Sequence, residues 1–459
     1  MADHRHDSGR ELILAALAHE TVPSVPWLPF AGVHAGQLTG TDATTLLTNP
    51  DSLVAALLRV NELYDPDGQP VVFDLQLEAE ILGCDLVWAQ KAPPSVATHP
   101  LASLKDIPTG LPERHQGRLP VVLEAMARIK AAVGERTALY GLVCGPLTLA
   151  SHLRGTEIFM DMFDDAAYVR ALLAYATRVA ERMTDLYIDA GMDVIAYVDP
   201  LVSQISPRTF GEYLDAPLNA LFAGLRQRGV PSSLFVCGDA TKNVEAMCRT
   251  APDSICIDEN IDLARAKQIT DRYGITIGGN IPLTTVLLLG SQQDSIKWVV
   301  DALAAVDTHN LILAPGCDMP YDTPIDNVIG VVQAVREPDR YREVMAHYHA
   351  PQVDYEIEVP NFAALDRPLI EVFTLDSDTC AACGYMLGAA QRATEEMNGQ
   401  VNMVEYKITV PENIARMKKM GVTNLPCILI DGQLAFSSII PSNRELLALL
   451  EQAVERHGA

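Results

Sequence analysis

The sequence predicts an α/β protein in which a (β/α)8 TIM barrel is followed by a small α/β domain. Three observations support this prediction. Eight short apolar segments alternate with helical patterns over the first 340 residues; two of these segments end at cysteines in similar junctions; and a second compact pattern of strands and helices begins near residue 368. Consecutive β/α units favour a closed barrel with parallel strands, and a doubly wound sheet is the structural alternative.

The candidate strands are short runs of apolar or β-branched residues, separated by segments with helical periodicity. They are Ser24–Phe30, Val71–Asp74, Ala138–Val143, Val194–Val198, Leu234–Val236, Ile255–Ile257, Ile275–Gly278 and Leu311–Ala314.

The stretch at 311–324, LILAPGCDMPYDTP, places Cys317 in the loop between the last of these strands and a helix. Thr323 followed by Pro324 predicts the helix start, with Thr323 as the capping residue and Asp326 completing a capping-box-like pattern. The stretch at 232–240, SSLFVCGDA, has the same shape around Cys237. Two cysteines in equivalent strand-to-helix junctions predict one shared site.

Composition excludes several classes of function. The chain has 459 residues and a net charge of −25, which argues against binding to nucleic acid and to anionic membrane surfaces. The start of the chain is polar, and no long uncharged apolar run occurs, so we expect neither a signal peptide nor a membrane span. The nine cysteines are then expected to be thiols, ligands or redox centres in the cytoplasm, not a disulfide framework.

If the fold is a barrel, its active site lies at the carboxyl ends of the strands. Reactive or metal-binding side chains occur at most of the predicted strand ends, namely at Asp74, Cys144, Asp199, Cys237, Asp258 with Glu259, Asn280 and Cys317. Acidic residues also cap helices and turns, which is the simpler explanation for any single carboxylate, including Asp74 and Asp199. Cysteine has no capping role, so the cysteines are the more informative members.

From about residue 338 the apolar periodicity is lost and prolines recur, which predicts a linker. We expect a barrel domain at 1–345, a linker at 346–367 and a second domain at 368–459. The second domain shows the order β-α-β-α-β-β-α, with Cys380-Ala381-Ala382-Cys383 opening its first helix and an Asp431-Gly432 hairpin turn. This segment resembles the thioredoxin fold, and Val422–Pro426 resembles the stretch that precedes the cis-proline of that family.

The Cys380/Cys383 motif predicts thiol-redox chemistry. At a helix N-terminus the thiolate form of Cys380 is favoured, so its pKa is lowered, and Cys383 lies one turn on, where it can resolve a mixed disulfide. A structural zinc knuckle is the alternative, but no second pair of ligands follows. Oxidase, reductase and thiol-carrier roles remain open, because Ala381-Ala382 and the extra Cys427 depart from ordinary thioredoxins.

Spaced motifs over roughly residues 10–340 resemble the uroporphyrinogen decarboxylase superfamily. They are Phe73-Asp74 with 78–83 (EAEILG), 145–150 (GPLTLA), 190–193 (AGMD) with Asp199-Pro200, and 315–317 (PGC) with 322–324 (DTP). The decarboxylase needs arginines near the first strand, and Pro23–Gly40 contains neither arginine nor lysine. The chain looks more similar to the zinc-dependent methylcobamide:thiol methyltransferases of this superfamily.

The resemblance implies zinc as a cofactor. Cys237 and Cys317 fall on the two cysteine positions of that group's zinc motif, whereas its histidine position is Phe235 here. Phenylalanine cannot bind zinc, so another group must complete the site or the metal is lost. Cys144 and Asp199 are the candidates at neighbouring strand ends, Asp239 is a weaker one, and Cys144 can equally be a small buried residue.

The resemblance also implies the reaction. A methyl group would pass from a methylated corrinoid, carried by a partner protein, to a thiol or related acceptor, with Asp74 in the catalytic machinery and Asp199 and Asn280 binding substrate. Two alternatives remain: a decarboxylase-like lyase, and a non-catalytic barrel that presents a thiol-redox domain. The presence of Phe235 at the histidine position favours the non-catalytic barrel.

Overall fold

The computed structural model describes residues 8–103, 106–349, 356–375, 377, 381–422 and 424–458. The chain divides into two compact units, the first at Met1–Val202 and Ser206–His349 and the second at Ser203–Ile205 and Ala350–Ala459. Among the described residues, no helix is long and apolar enough to cross a membrane.

The strands of the first unit form one parallel sheet and one small antiparallel pair. They are β1 Gly68–Pro70, β2 Leu86–Val87, β3 Ser95–Val96, β4 Ala138–Cys144, β5 Val194–Val198, β6 Ser232–Val236, β7 Ser254–Ile257, β8 Thr276–Ile281 and β9 Leu311–Pro315. The parallel sheet has the order β1-β4-β5-β6-β7-β8-β9, and β2 pairs with β3.

The helices of this unit separate the strands. They are α1 Gly9–Leu17, α2 His34–Gln37, α3 Ala43–Thr48, α4 Pro50–Tyr64, α5 Leu77–Ile81, α6 Leu119–Val133, α7 Pro146–Arg154, α8 Glu157–Asp164, α9 Ala166–Asp189, α10 Pro207–Tyr213, α11 Asp215–Gln227, α12 Val244–Arg249, α13 Leu263–Tyr273, α14 Gln292–Ala305, α15 Ile325–Arg336 and α16 Pro338–Val344. Short 3-10 helices occupy Pro200–Gln204 and Thr241–Asn243, and a short π-helix occupies Leu283–Leu288.

The segment around Trp27 closes the sheet into a barrel. On one side, the N–H of Leu28 donates to the carbonyl of Leu313 at 2.9 Å; on the other, the N–H of Asp67 donates to the carbonyl of Trp27 at 2.9 Å. Trp27 therefore joins the last strand of the sheet to the first, although it is assigned only an isolated bridge. The predicted (β/α)8 class is confirmed. The irregular segment around Trp27, which comes first in the sequence, completes the ring that the seven parallel strands form.

Residues that alternate along the strands fill the barrel interior. Ala138, Tyr140 and Leu142 of β4 belong to one core cluster with Val194, Ala196 and Val198 of β5. This period of two is expected where one face of each strand points into a barrel and the other is covered by helices. Helix α1 adds Ile13, Ala16 and Leu17 to the same cluster, so it covers the amino-terminal end of the barrel.

Two predictions on local structure are wrong. The strand expected at Val71–Asp74 is Gly68–Pro70, because pairing with β4 places Gly, Gln and Pro, which rarely form strands, in the ladder. Helix α15 begins at Ile325 with Pro324 as its N-cap and no side-chain cap, so Thr323 is not the capping residue. Thr323 is instead fully buried, and its hydroxyl has no hydrogen-bond partner among the described residues.

The second unit contains a four-stranded mixed sheet with helices. Its elements are β10 Leu369–Thr374, α17 Ala381–Glu396, β11 Asn402–Lys407, α18 Pro411–Lys419, β12 Cys427–Ile430, β13 Gln433–Ser437 and α19 Asn443–Gly458, preceded by a 3-10 turn at Phe362–Ala364. The sheet order is β11-β10-β12-β13, with β10 and β11 parallel. The Leu425–Pro426 bond is cis, and Asp431 and Gly432 both have positive φ in the hairpin turn.

Candidate functional site

Cys237 and Cys317 lie together at the carboxyl-terminal end of the barrel. Cys237 directly follows β6, Cys317 follows β9 by two residues, and the two are joined by a disulfide with a Cα–Cα distance of 5.9 Å. Both residues are partly buried. The structure thus brings together the two cysteines that the sequence predicts to share one site, and it shows them as a bonded pair where thiols, ligands or redox centres were expected.

An aromatic cluster forms the floor beneath the disulfide. The ring of Phe235 stacks on that of Phe30 with centroids 4.6 Å apart, and it meets the ring of Phe73 edge-on at 5.7 Å. All three rings are buried in the core cluster against which Cys237 and Cys317 pack. Phe235 therefore places an apolar ring, with no ligand atom, at the position where the resemblance implies histidine.

The walls of this end of the barrel carry carboxyl groups next to the cysteine loops. The Oδ2 atom of Asp258 accepts a hydrogen bond from the N–H of Gly238 at 2.7 Å. Glu259 lies so close to Gly316 that a Cβ at Gly316 would stand 2.5 Å from the nitrogen of Glu259, so only glycine fits there. Desolvation raises the pKa of both carboxyl groups, and the charge of Asp258 adds to the shift at Glu259.

Asp74 is held in a buried ion pair. The Nη1 atom of Arg118 donates to Oδ2 of Asp74 at 2.6 Å, and its Nε donates to Glu80 at 2.7 Å. The guanidinium also lies 4.8 Å from the centre of the Trp88 ring. The side chain of Asp74 is inaccessible to solvent, so its first role in the structure is to balance the charge of Arg118.

Cys144 ends β4 in a different part of the site, beside Glu78. The backbone N–H of Cys144 donates to Oε1 of Glu78 at 3.0 Å, and Oε2 of Glu78 has no hydrogen-bond partner among the described residues. Burial raises the pKa of Glu78 to about 8 and that of the Cys144 thiol well above its usual range. In the sequence, Glu78 stands out only as part of the motif at 78–83, and its position shortly after a predicted strand is the signal that points to it.

Asp199 and Asn280 are both engaged in hydrogen bonds within the barrel. Asp199 accepts from the backbone N–H groups of Leu147 and Thr148, both at 2.9 Å, and thereby caps helix α7 from the neighbouring strand. Burial raises the pKa of Asp199 to about 6. Asn280 donates from Nδ2 to the carbonyls of Asp258 and Ile261 at 2.9 and 2.7 Å, which holds the loop after β7.

The predicted zinc ligands do not fit a zinc ion in this arrangement. The sulfurs of Cys237 and Cys317 are bonded to each other, and no group of three or more His, Cys, Asp or Glu side chains within the described part of the chain is arranged to hold a metal. Asp239 has its Oδ1 occupied by the N–H and hydroxyl of Thr241. The structure does not bring Cys144 or Asp199 into a metal cluster with the cysteine pair.

The CxxC motif is only partly within the described residues. Cys380 lies outside them, whereas Cys383 is buried in the first turn of α17. Cys427, the extra cysteine of this domain, is buried at the start of β12, and burial raises the pKa of its thiol to about 12. The structure therefore makes Cys427 a weak nucleophile and leaves the predicted pKa of Cys380 untested.

A polar cavity of about 360 Å³ lies at the other end of the barrel, between α1 and the residues that precede β1 and β4. Its charged side chains are largely paired, since Arg336 donates to both carboxylate oxygens of Asp67 at 2.9 and 3.1 Å. Asp67 in turn accepts from the backbone N–H of Trp27. These contacts hold the closing segment of the barrel, so we place the functional site at the opposite end.

Comparisons with known proteins agree with this architecture. Residues 8–338 match the family model of uroporphyrinogen decarboxylase (URO-D), and residues 369–451 match that of a thioredoxin domain. The first match covers most of the chain, which therefore belongs to the URO-D family.

Within this family the chain is similar to methyltransferases. It is 31% identical over 304 residues to the methylcobamide:CoM methyltransferase MtaA of Methanosarcina barkeri, a match that covers 62% of this chain and 84% of the relative. It is 27% identical to MtbA of Methanosarcina acetivorans, covering 58% and 78%, and 23% identical to the uroporphyrinogen decarboxylase of Nostoc punctiforme, covering 63% and 83%. A solved methyltransferase from Methanosarcina mazei aligns with a TM-score of 0.67 at 26% identity, covering 72% of this chain and 99% of that protein. The prediction that the chain is an enzyme of the methyltransferase type is confirmed by these comparisons.

Proposed function

We propose that this chain transfers a methyl group from a methylated corrinoid, carried by a partner protein, to a thiol or related acceptor. The proposal draws on the similarity to methylcobamide:CoM methyltransferases. The observation that carries it is the meeting of Cys237 and Cys317 from β6 and β9 at the carboxyl end of the barrel. We further propose that the domain limits are 1–345 and 368–459, joined by a linker at 346–367, and that the protein works in the cytoplasm.

The acceptor sulfur would form a carbon–sulfur bond while the cobalt–carbon bond breaks and leaves its electron pair on cobalt. The aromatic floor of Phe30, Phe73 and Phe235 would exclude water from below the reacting atoms, which favours the reaction of a thiolate that would otherwise be solvated. A bound zinc ion would keep a thiol deprotonated, but the residues of this site do not fit zinc in the observed arrangement. The proposed function therefore includes no step at a metal, and the assignment of Cys237, Cys317 and Cys144 as ligands stays a prediction.

The remaining assigned residues would shape the site. Asp74 would act through Arg118, which it fixes in a buried pair, and Asp199 and Asn280 would position the loops that face the substrate. Cys380 and Cys383 would form the thiol-redox centre of the fused domain.

Two other functions have less support. A decarboxylase-like lyase would need arginines near the first strand to hold a polycarboxylate, and Pro23–Gly40 contains neither arginine nor lysine. A non-catalytic barrel is favoured by Phe235 alone.

A methyl-transfer assay tests the proposal. The full chain is reduced, mixed with methylcobalamin and a panel of small thiols, and followed by the absorbance change of the corrinoid. Cys237→Ala and Cys317→Ala should each lower the initial rate by about 100-fold or more, whereas the matched control Cys248→Ala, a buried cysteine in α12, should retain it. Retained activity in the first two variants, or no activity of the reduced wild type with any thiol, would contradict the proposal.

A further inference from the structure

The Cys237–Cys317 pair differs from the other described cysteines in both bonding and exposure. Outside the pair, buried thiols occur at Cys84, Cys144, Cys248, Cys256 and Cys427, and burial raises the pKa of each above its usual range. Cys237 and Cys317 are partly exposed at the mouth of the barrel. They are therefore the sulfurs of the barrel that an external thiol can reach most directly.

The surroundings of the pair favour a disulfide over two thiolates. Cys237 and Cys317 pack against the apolar core cluster that contains Phe30, Phe73 and Phe235, and in such surroundings a negative charge is costly whereas a neutral disulfide is not. Asp258, whose carboxyl group accepts from the N–H of Gly238 beside Cys237, would when ionised further disfavour a thiolate there. No described metal cluster keeps the sulfurs apart.

The pair links two loops 80 residues apart in a chain that already contains a large buried core. A disulfide in a reducing compartment is usually transient, catalytic or redox-sensing, and is seldom a permanent staple. The same chain carries a thioredoxin domain with a Cys-Ala-Ala-Cys motif. A disulfide substrate and a domain of the class that reduces disulfides therefore occur in one polypeptide.

We propose that the Cys237–Cys317 disulfide is a redox substrate of the fused thioredoxin domain, which converts it to the dithiol that the barrel needs. This inference rests on the proposed function for its biological purpose, but its chemistry is independent of methyl transfer.

The exchange proceeds in two balanced steps. The Cys380 thiolate attacks one sulfur of the barrel disulfide, so a mixed disulfide forms and the other barrel sulfur leaves as a thiolate. Cys383 then loses its proton and attacks the sulfur of Cys380, which releases the second barrel thiolate. Two electrons have then moved from the CxxC pair to the barrel pair; one barrel thiolate has taken up the proton of Cys383, the other takes a proton from water, and an external dithiol reduces the resulting CxxC disulfide. The linker keeps the two partners at an effective concentration in the millimolar range where its length allows contact.

Thiol mapping of the oxidised full chain tests the inference. The oxidised protein is given limiting dithiothreitol, and the alkylation of Cys237 and Cys317 is followed by peptide mass spectrometry. Cys380→Ser should slow reduction of the barrel pair at least about tenfold, because the intramolecular route is lost. The matched control Cys427→Ala removes a buried thiol of the same domain and should leave the rate unchanged.

A trapping variant provides a second readout. Cys383→Ser should arrest the exchange and accumulate a mixed disulfide between Cys380 and Cys237 or Cys317, which a linked peptide identifies. Equal reduction rates in wild type and Cys380→Ser, or the absence of a linked Cys237–Cys317 peptide after oxidation, would overturn the inference. The methyl-transfer assay on protein fully reduced by excess dithiothreitol separates the two proposals. If methyl transfer fails while the disulfide exchange is intact, only the proposed function is rejected. If methyl transfer occurs while the exchange fails, only this inference is rejected.

Discussion

The Oε1 atom of Glu78 accepts a hydrogen bond from the backbone N–H of Cys144 at 3.0 Å, while its Oε2 atom is buried without a partner among the described residues. A carboxylate with one unsatisfied oxygen is costly to bury, whereas a protonated carboxyl group is less so. Burial accordingly raises the pKa of Glu78 to about 8, from the 4.5 of a solvated glutamate. At neutral pH this buried side chain is therefore largely protonated.

Glu78→Gln should stabilise the barrel at alkaline pH. Because the folded-state pKa lies above the unfolded one, the stabilisation from the retained proton is complete below pH 4.5 and is lost as the pH rises through about 8. The variant lacks this loss, so at pH 9 its free energy of unfolding should exceed that of wild type by about 2–4 kcal/mol, with a difference under about 1 kcal/mol at pH 5. Urea unfolding followed by tryptophan fluorescence reports on the barrel, since Trp27, Trp88 and Trp298 all lie in it.

The control for this experiment is Glu62→Gln, at an exposed glutamate paired with Arg59, which should show no pH-dependent difference. If Glu78→Gln were less stable than wild type at pH 9, the carboxylate would be the preferred form and the assignment of a protonated Glu78 would be wrong.

Asp74→Asn should destabilise the barrel by about 3 kcal/mol, because it leaves the buried charge of Arg118 without its inaccessible partner. Glu80→Gln is a matched control, since Glu80 contacts the same guanidinium but its side chain is 28% exposed. We expect a cost below about 1 kcal/mol for that change. Urea unfolding at pH 7 measures the free energy of unfolding of both variants. Equal losses of stability would show that the buried contact between Asp74 and Arg118 contributes no more than the contact of Glu80.

Zinc content should depend on the oxidation state of the protein. The oxidised full chain should bind no stoichiometric zinc, because a disulfide offers no thiolate ligands. Reduced protein regains two sulfur ligands, so any zinc uptake should appear only after reduction and disappear in Cys237→Ser and Cys317→Ser. Metal analysis after desalting measures this, and one equivalent of zinc on protein that still yields the linked Cys237–Cys317 peptide would refute the prediction.

The barrel could be predicted largely from sequence because its strands are buried on both faces. Runs such as Ala138–Cys144 and Leu311–Pro315 are almost continuously apolar, and such runs indicate parallel strands. Strand β1 could not be predicted in register, since Gly68–Pro70 is placed by pairing with β4 and not by its own propensity. Thr323 failed as a cap because tertiary packing buries it, and the helix starts at Ile325, one residue after the predicted start at Pro324.

For the site, the sequence predicted which residues lie close together but not how they are bonded. Equivalent positions after two strands indicated that Cys237 and Cys317 meet, but a separation of 80 residues contains no information on whether the sulfurs bond. Asp199 looked like a site residue by position, yet its hydrogen bonds to Leu147 and Thr148 depend on the approach of α7 to β5, which sequence does not reveal. The partnerless oxygen of Glu78 is likewise a property of packing.

Phe235→His should convert the mouth of the barrel into a metal site. Phe235 precedes Cys237 by two residues, and Cys237 and Cys317 pack against the core cluster that contains the Phe235 ring, so an imidazole there would join two thiols as a third ligand. The reduced variant should bind zinc at least about tenfold more tightly than reduced wild type. Loss of the ring contacts with Phe30 and Phe73 should cost about 1–3 kcal/mol of stability.

Phe235→Leu is the matched control, because it removes the same ring contacts without adding a ligand nitrogen. Competition with a chromophoric chelator measures affinity, and cobalt(II) used in place of zinc should give visible bands typical of tetrahedral thiolate coordination in Phe235→His only. If Phe235→His and Phe235→Leu bind zinc equally weakly when reduced, the position of Phe235 does not face the cysteine pair as a ligand would, and the apolar floor is not what separates this site from a zinc centre.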